Sequence, residues 1–253
     1  MHIENVAAIV TGGASGLGAA TAEALAAEGA RVSIFDLNED AGNAHAEKIG
    51  GRFASVNVTD EASVSQAMDS AAEAHGVARI LVNCAGVAPA KKAVGKEFVP
   101  HDMESFRRAV EINLVGTFLT CSRFAARLQQ ADPVGEERGL IVNTASVAAF
   151  DGQIGQPAYA ASKAGVVGMT LPLAREFARD LIRVMTIAPG IFWTPMLESL
   201  PPAAQESLGK MVPHPARLGK PKEYADLVLA IAGNPMLNGE VIRLDGAIRM
   251  AAK

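Results

Sequence analysis

The chain has 253 residues, a length that suits one large α/β domain. Hydrophobic residues make up 49% and charged residues 20%, and 24 glycines with 13 prolines stay below the share that marks low complexity, so the composition is that of an ordinary globular protein. A formal net charge of −4 argues against a broad basic field for nucleic acid, and two cysteines, Cys84 and Cys121, leave no disulfide scaffold and no C-x-x-C motif.

In chain order, short apolar runs alternate with longer amphipathic ones, the rhythm of βαβ units around a parallel sheet. Strands are expected at Val6–Thr11, Arg31–Asp36, Arg52–Asn57, Arg79–Asn83, Leu140–Thr144, Ile182–Ala188 and Glu240–Asp245. Helices are expected near 16–28, 39–49, 61–75, 103–130, 158–179 and 222–232. Most strands read as continuous apolar stretches, as expected when helices cover both faces of a sheet. The expected fold is α/β: a single Rossmann-type doubly wound parallel sheet of about seven strands, flanked by helices and spanning 1–253 without a linker.

The longest run without Asp, Glu, Lys or Arg is Asn5–Ala22, and its four glycines argue against a membrane span. No basic stretch precedes it, so no signal or transit peptide is expected and the protein reads as soluble and cytoplasmic. Large rings are few: nine Phe, one Trp and the two tyrosines Tyr159 and Tyr224. Aliphatic and alanine packing must fill the core. Two segments break the rhythm. Ala88–Asp102 is a long loop containing Lys and Pro, and Phe192–Pro221 carries Pro195, Pro201, Pro202, Pro213, Pro215 and Pro221. The second, about 192–221, reads as a substrate lid or as a surface excursion.

Directly after the first strand comes Thr11-Gly12-Gly13-Ala14-Ser15-Gly16-Leu17-Gly18, with the spacing G-x-x-x-G-x-G. Glycines there permit a tight turn and a close approach of backbone to a pyrophosphate, and the following helix offers free N–H groups to phosphates. Asp36 ends the second strand, where a carboxylate accepts hydrogen bonds from ribose hydroxyls and repels a 2′-phosphate. Leu37 and Ser15 supply none of the cations that a 2′-phosphate needs. The expected cofactor is NAD rather than NADP.

Tyr159 and Lys163 are four residues apart on an expected helix and so share a face. A neighbouring ammonium, with the positive nicotinamide of an oxidised cofactor, is expected to lower the phenol's pKa and make it an acid/base for an alcohol or ketone. Ser146, just beyond a strand, is placed to hydrogen-bond the reacting oxygen. No G-x-S-x-G elbow surrounds Ser146, which disfavours a hydrolase nucleophile.

Taken together, Thr11–Gly18, Asn83-Cys84-Ala85-Gly86, Asn113, Ser146, Tyr159-x-x-x-Lys163 and Pro189-Gly190 resemble the short-chain dehydrogenase/reductase pattern across the whole chain. The resemblance implies NAD(P)-dependent hydride transfer. It implies catalytic roles for Asn113, Ser146, Tyr159 and Lys163, with Lys163 on the nicotinamide ribose and Asn113 supporting a relay water. It implies cofactor contacts at Gly12, Ser15, Gly16, Leu17, Gly18, Asp36, Asn57, Val58, Asn83, Ala85, Gly86, Tyr159, Lys163, Pro189, Gly190 and Thr194. Ile141–Phe150, Arg183–Gly190 and Asn238–Met250 are similar to the branch of that family that oxidises short or branched 3-hydroxyacyl-CoA, with looser activity on steroid alcohols. That likeness implies an acyl-CoA or other secondary-alcohol substrate beside Ser146, Gln153, Gln156 and Tyr159, and the family implies a homotetramer. Alternatives are a hydroxysteroid or 3-oxoacyl-carrier-protein enzyme and, more remotely, a non-catalytic NAD sensor.

Asn57 stands where the family usually has Asp, and its side-chain oxygen is expected to accept the same adenine hydrogen bond. Trp193 narrows the cleft or packs under the lid. Lys91, Lys92 and Lys96 suit CoA phosphates or are simply solvated. His2, His45, His75, His101 and His214 show no metal spacing. Cys84 and Tyr224 read as packing residues.

Overall fold

A computed structural model of the chain describes residues 1–194, 197 and 202–252. Seven strands form one parallel sheet: β1 (Ala7–Thr11), β2 (Arg31–Asp36), β3 (Arg52–Ser55), β4 (Ile80–Asn83), β5 (Gly139–Thr144), β6 (Ile182–Pro189) and β7 (Val241–Leu244). Their spatial order is β3-β2-β1-β4-β5-β6-β7, so the chain runs outward in one direction from β1 and then returns to continue in the other from β4. The expected doubly wound fold is present. Its switch point lies between β1 and β4, where the strand ends open a crevice for a ligand.

The helices are α1 (Gly16–Ala27), α2 (Glu39–Ile49), α3 (Glu61–His75), α4 (Met103–Val110), α5 (Gly116–Leu128), α6 (Pro157–Phe177), α7 (Pro202–Lys210) and α8 (Pro221–Gly233). Caps fix where three of them begin. Asn38, Asp60 and Asp102 each accept a backbone N–H three residues on, which starts α2, α3 and α4. Pro157 and Pro221 occupy first-turn positions, where the missing N–H costs nothing.

The strands bury both faces. Val10, Val82, Val142 and Ile187 pack toward α1 and α8, while Ile9, Leu81, Ile141 and Val184 pack toward α3, α5 and α6. Each fully buried aliphatic side chain contributes about 1.5–3 kcal/mol. Ala22, Ala46, Ala71, Ala125, Ala174 and Ala232 fill the layers between helix and sheet, so few rings are needed.

Beneath the carboxyl edge, Thr11, Asn83, Asn143 and Thr186 stand in one register row across four strands. Asn83 Nδ2 donates to Asn143 Oδ1 at 2.9 Å, and Thr120 Oγ1 on α5 donates to Asn83 Oδ1 at 2.8 Å.

Three expectations change. The helix expected over 103–130 contains a π-turn at Glu111–Val115 between α4 and α5. The third strand stops at Ser55 because the Asn57 side chain folds the chain into a turn, accepting from Thr59 N at 3.1 Å. The segment 192–221 contains a helix, α7, that its prolines did not announce. Pro195 and Pro201 lie outside the described residues.

Candidate active site

The glycine turn is tight because two positions leave no room for a side chain. A Cβ on Gly18 would lie 2.1 Å from Gly12 O, and one on Gly12, whose φ is +65°, would lie 2.7 Å from Ala85 N. This contact joins the turn to the segment leaving β4. Ser15 is the N-cap of α1 yet makes no side-chain cap bond, and the first turn holds no acid. The N-terminus thus presents backbone donors and a positive dipole end to an anion. The Asp36 carboxylate faces the turn, with Oδ2 accepting from Ala14 N and Oδ1 from Asn38 N, both at 3.0 Å. A glycine turn, an uncapped helix end and an oriented carboxylate at the switch point fit the pyrophosphate and adenosine ribose of a dinucleotide.

The other expected cofactor residues are distributed unevenly. Gly86 lies close to Asn113 and Lys163: a Cβ there would stand 3.0 Å from Asn113 Oδ1 and 3.5 Å from Lys163 Nζ. Gly190 donates to Leu244 O at 2.9 Å and sits just past buried Pro189. The Asn83 side chain is spent within the polar row rather than in the crevice. The expected role of the Asn57 oxygen also needs correction. It already accepts from Thr59 N and Thr59 Oγ1, at 3.1 and 2.9 Å, so both lone pairs are engaged. Val58 is buried against Gly116, and Leu17 and Thr194 are half-buried.

Helix α6 brings Tyr159 and Lys163 to the end of β5. Lys163 is buried, with Nζ 6.0 Å from the centre of the Tyr159 ring and donating to Thr144 O at 2.7 Å. The Ser146 hydroxyl stands near enough to the Tyr159 phenol to oppose the effect of burial on it. Ser146 also caps the short turn Val147–Ala149, its Oγ accepting from Ala148 N at 3.1 Å, and this orients the hydroxyl. Asn113 occupies the π-turn and is fully buried. Its Oδ1 accepts from Val87 N at 2.8 Å, while Nδ2 donates to Val87 O at 2.8 Å and to Ser162 Oγ at 2.9 Å. Ser162 in turn donates to Tyr159 O at 2.8 Å, so Asn113 is tied to the backbone of Tyr159. Ser162 was not singled out from the sequence, although its place between Tyr159 and Lys163 on the buried face of the helix is a visible signal.

Electrostatics correct one expectation. Burial pushes the Tyr159 phenol up, opposed by the Ser146 hydroxyl, so the ammonium does not pull it down in the free chain. Lys163 is itself brought down to about 8 by burial. Burial also raises both thiols, Cys121 to about 12, so neither Cys84 nor Cys121 is a thiolate near neutral pH.

A pocket of 390 Å³ lies between the Ala88–Asp102 loop and the turn into α6, lined by Lys92, Val94, Gln153, Gln156 and Ala160 among others. Gln156 Oε1 accepts from Gln153 N at 3.1 Å, and Gln153 Nε2 donates to Ala251 O at 3.0 Å. Arg243 pairs with Asp151 at 2.5 Å and, with Gln153, ties this turn to the last strand and the segment after it. The three loop lysines are not equivalent. Lys91 pairs with Asp102 at 2.5 Å, Lys92 lines the pocket and Lys96 is exposed. Phe192 is buried against Gly219, and Trp193 beside it is half-exposed. Among the described residues no His, Cys, Asp or Glu cluster could hold a metal, and no helix is long and apolar enough to cross a membrane.

This combination of fold and site defines an NAD(P)-type oxidoreductase, and the chain belongs to the short-chain dehydrogenase family, whose model matches residues 6–205. It is 52% identical over 252 residues to 3-hydroxyacyl-CoA dehydrogenase type-2 of Homo sapiens, covering 98% of this chain and 97% of that protein. The enzyme of the same name from Drosophila melanogaster is 53% identical over 253 residues, covering 98% and 99%. Among solved structures, 3-hydroxyacyl-CoA dehydrogenase type-2 from Mycobacterium avium superposes with a TM-score of 0.95 at 43% identity, covering 98% of both chains.

Proposed function

We propose that this enzyme uses NAD to interconvert a secondary alcohol and its ketone, with a short or branched 3-hydroxyacyl-CoA as the alcohol. The observation that carries the chemistry is Ser146, Tyr159 and Lys163 meeting at the end of β5 beside the glycine turn. The substrate follows from the relatives named 3-hydroxyacyl-CoA dehydrogenase type-2, which match over nearly the full chain. The preference for NAD is supported by the oriented Asp36 carboxylate at the end of β2.

Bound NAD supplies the acceptor for the hydride that leaves the carbinol carbon. Tyr159 Oη takes the hydroxyl proton in oxidation and returns it in reduction. Ser146 Oγ–H donates to the reacting oxygen and holds it against the phenol. Lys163 keeps one N–H on Thr144 O and would direct the others at the nicotinamide ribose. Asn113 supports the water through which the proton leaves, and its own side chain holds the Val87 backbone and the helix carrying Tyr159. Asp36 accepts from the adenosine ribose hydroxyls. Gln153 and Gln156 flank the substrate. Exposed Val115, Phe118 and Leu171 on the outer helices support a homotetramer, which light scattering would read; a monomer would refute it.

Tyr159→Phe is expected to lower kcat by about 10²–10⁴-fold, the usual contribution of a positioned acid/base, with circular dichroism unchanged. Full turnover in that variant would overturn the assignment. A panel of acyl-CoA, steroid and simple alcohols with NAD and NADP tests the substrate, and a steroid favoured in kcat/KM over every acyl-CoA would replace it.

A further inference from the structure

Lys163 rests on a carbonyl that the sheet leaves free. Strand β4 ends at Asn83, opposite Asn143, so Thr144 lies one residue beyond the ladder on that side. Lys163 Nζ bonds the Thr144 carbonyl at 2.7 Å, where a further β4 residue would have stood. The direction of that carbonyl depends on how the end of β5 is held.

The Thr144 side chain holds it from the opposite face of the sheet. Thr144 Oγ1 lies 2.7 Å from the Tyr224 hydroxyl, and Tyr224 on α8 is fully buried in the aliphatic layer under the sheet. The other partner of the Thr144 hydroxyl is Cys84 Sγ at 3.5 Å, a weak acceptor. A phenol in such a layer loses its hydration and must be bonded to stay. A phenylalanine ring would fill the same space without that cost, so packing does not account for the hydroxyl. Its bond to Thr144 does.

We propose that Tyr224 is a positioning residue for the reaction, its buried hydroxyl fixing through Thr144 the carbonyl that holds Lys163. This rests on the reading of Lys163 as a working part of the site. The titratable groups facing Lys163 are Tyr159 on its own helix and Cys84 at the end of β4. Burial already brings the ammonium down to about 8, so slackening its carbonyl acceptor releases the proton at lower pH.

Tyr224→Phe keeps the ring and removes the hydroxyl. It is expected to lower kcat about five-fold, the scale of one net hydrogen bond, with KM for the alcohol unchanged and the alkaline limb of kcat moved to lower pH. Thr144→Val, a near-isosteric change, is expected to do the same, and Thr144→Ser to behave as the parent. The double variant is expected to lose no more than either single, because the 2.7 Å Thr144–Tyr224 bond is common to both changes and the contacts each makes with Cys84 Sγ, at 3.5 and 3.9 Å, are long and weak. Unchanged kcat and pH profile in folded Tyr224→Phe would overturn the proposal, as would additive losses or a lower melting temperature with unchanged kinetics. If Tyr224→Phe fails to fold, Thr144→Val carries the same test. Lys163→Met separates the two readings. If it retains full turnover, the role of Lys163 and this proposal fall together. If it is inactive while Tyr224→Phe is unaffected, only the proposal falls.

Discussion

Asp36 uses one carboxylate for two tasks. Its oxygens accept from Ala14 N and Asn38 N, which hold the glycine turn and the start of α2, and each keeps lone pairs for a further donor. Asp36→Ala is therefore expected to raise the KM for NAD at least 10-fold, the scale of a hydrogen bond to a charged group, and to narrow the NAD/NADP ratio; initial rates with both cofactors read this. The carboxylate was legible in the sequence because it ends an apolar run at the right distance from the glycines. Tyr159 and Lys163 were legible because helical spacing of four puts two side chains on one face. The Tyr159 ionisation was not, since burial and the opposing Ser146 hydroxyl depend on how distant parts of the chain come together. Tyr224 was hidden for the same reason: its partner, Thr144, is 80 residues away.

At the scale of elements, the turn between β1 and α1 is the most constrained. Gly18→Ala places a Cβ 2.1 Å from Gly12 O, and a backbone atom cannot yield as a flexible side chain does. A loss of about 3 kcal/mol or more is expected in urea unfolding, beyond ordinary overpacking of a core. Wild-type stability in that variant would mean that the turn opens more easily than its contacts imply. Most strands and helices follow from apolar runs punctuated by Gly, Asn and Asp, which is why their order could be read directly. The π-turn could not, because Glu111–Val115 has an ordinary helical sequence and widens only where Asn113 reaches back to Val87. The end of β3 was misplaced because Asn57 acts on Thr59 rather than continuing the ladder.

At the scale of the whole molecule, ion pairs tie the segments around the site together. Arg217 holds Glu223 at 2.5 Å at the start of α8, and this bond, with the Lys220 N–H, brings the carboxyl down to about 2. A folded value below the free value of 4.5 means that the pair stabilises the fold above pH 4.5 and is lost as pH falls toward about 2. Glu223→Gln is expected to flatten the decline in melting temperature between those limits. A curve parallel to the parent would show that the pair contributes little there, as many exposed pairs do. Loss of this pair in acid is expected to loosen the start of the helix that carries Tyr224.

The row formed by Thr11, Asn83, Asn143 and Thr186 has a wider effect than pinning four strands. None of the four titrates, and Cys121, which bonds the row through Asn143, stays protonated up to about 12. The floor of the crevice therefore keeps a constant field while Lys163, near 8, gains or loses its proton above it. Titration at the site is therefore read from Lys163 and Tyr159 and from whatever enters the cleft, without a contribution from the row beneath them.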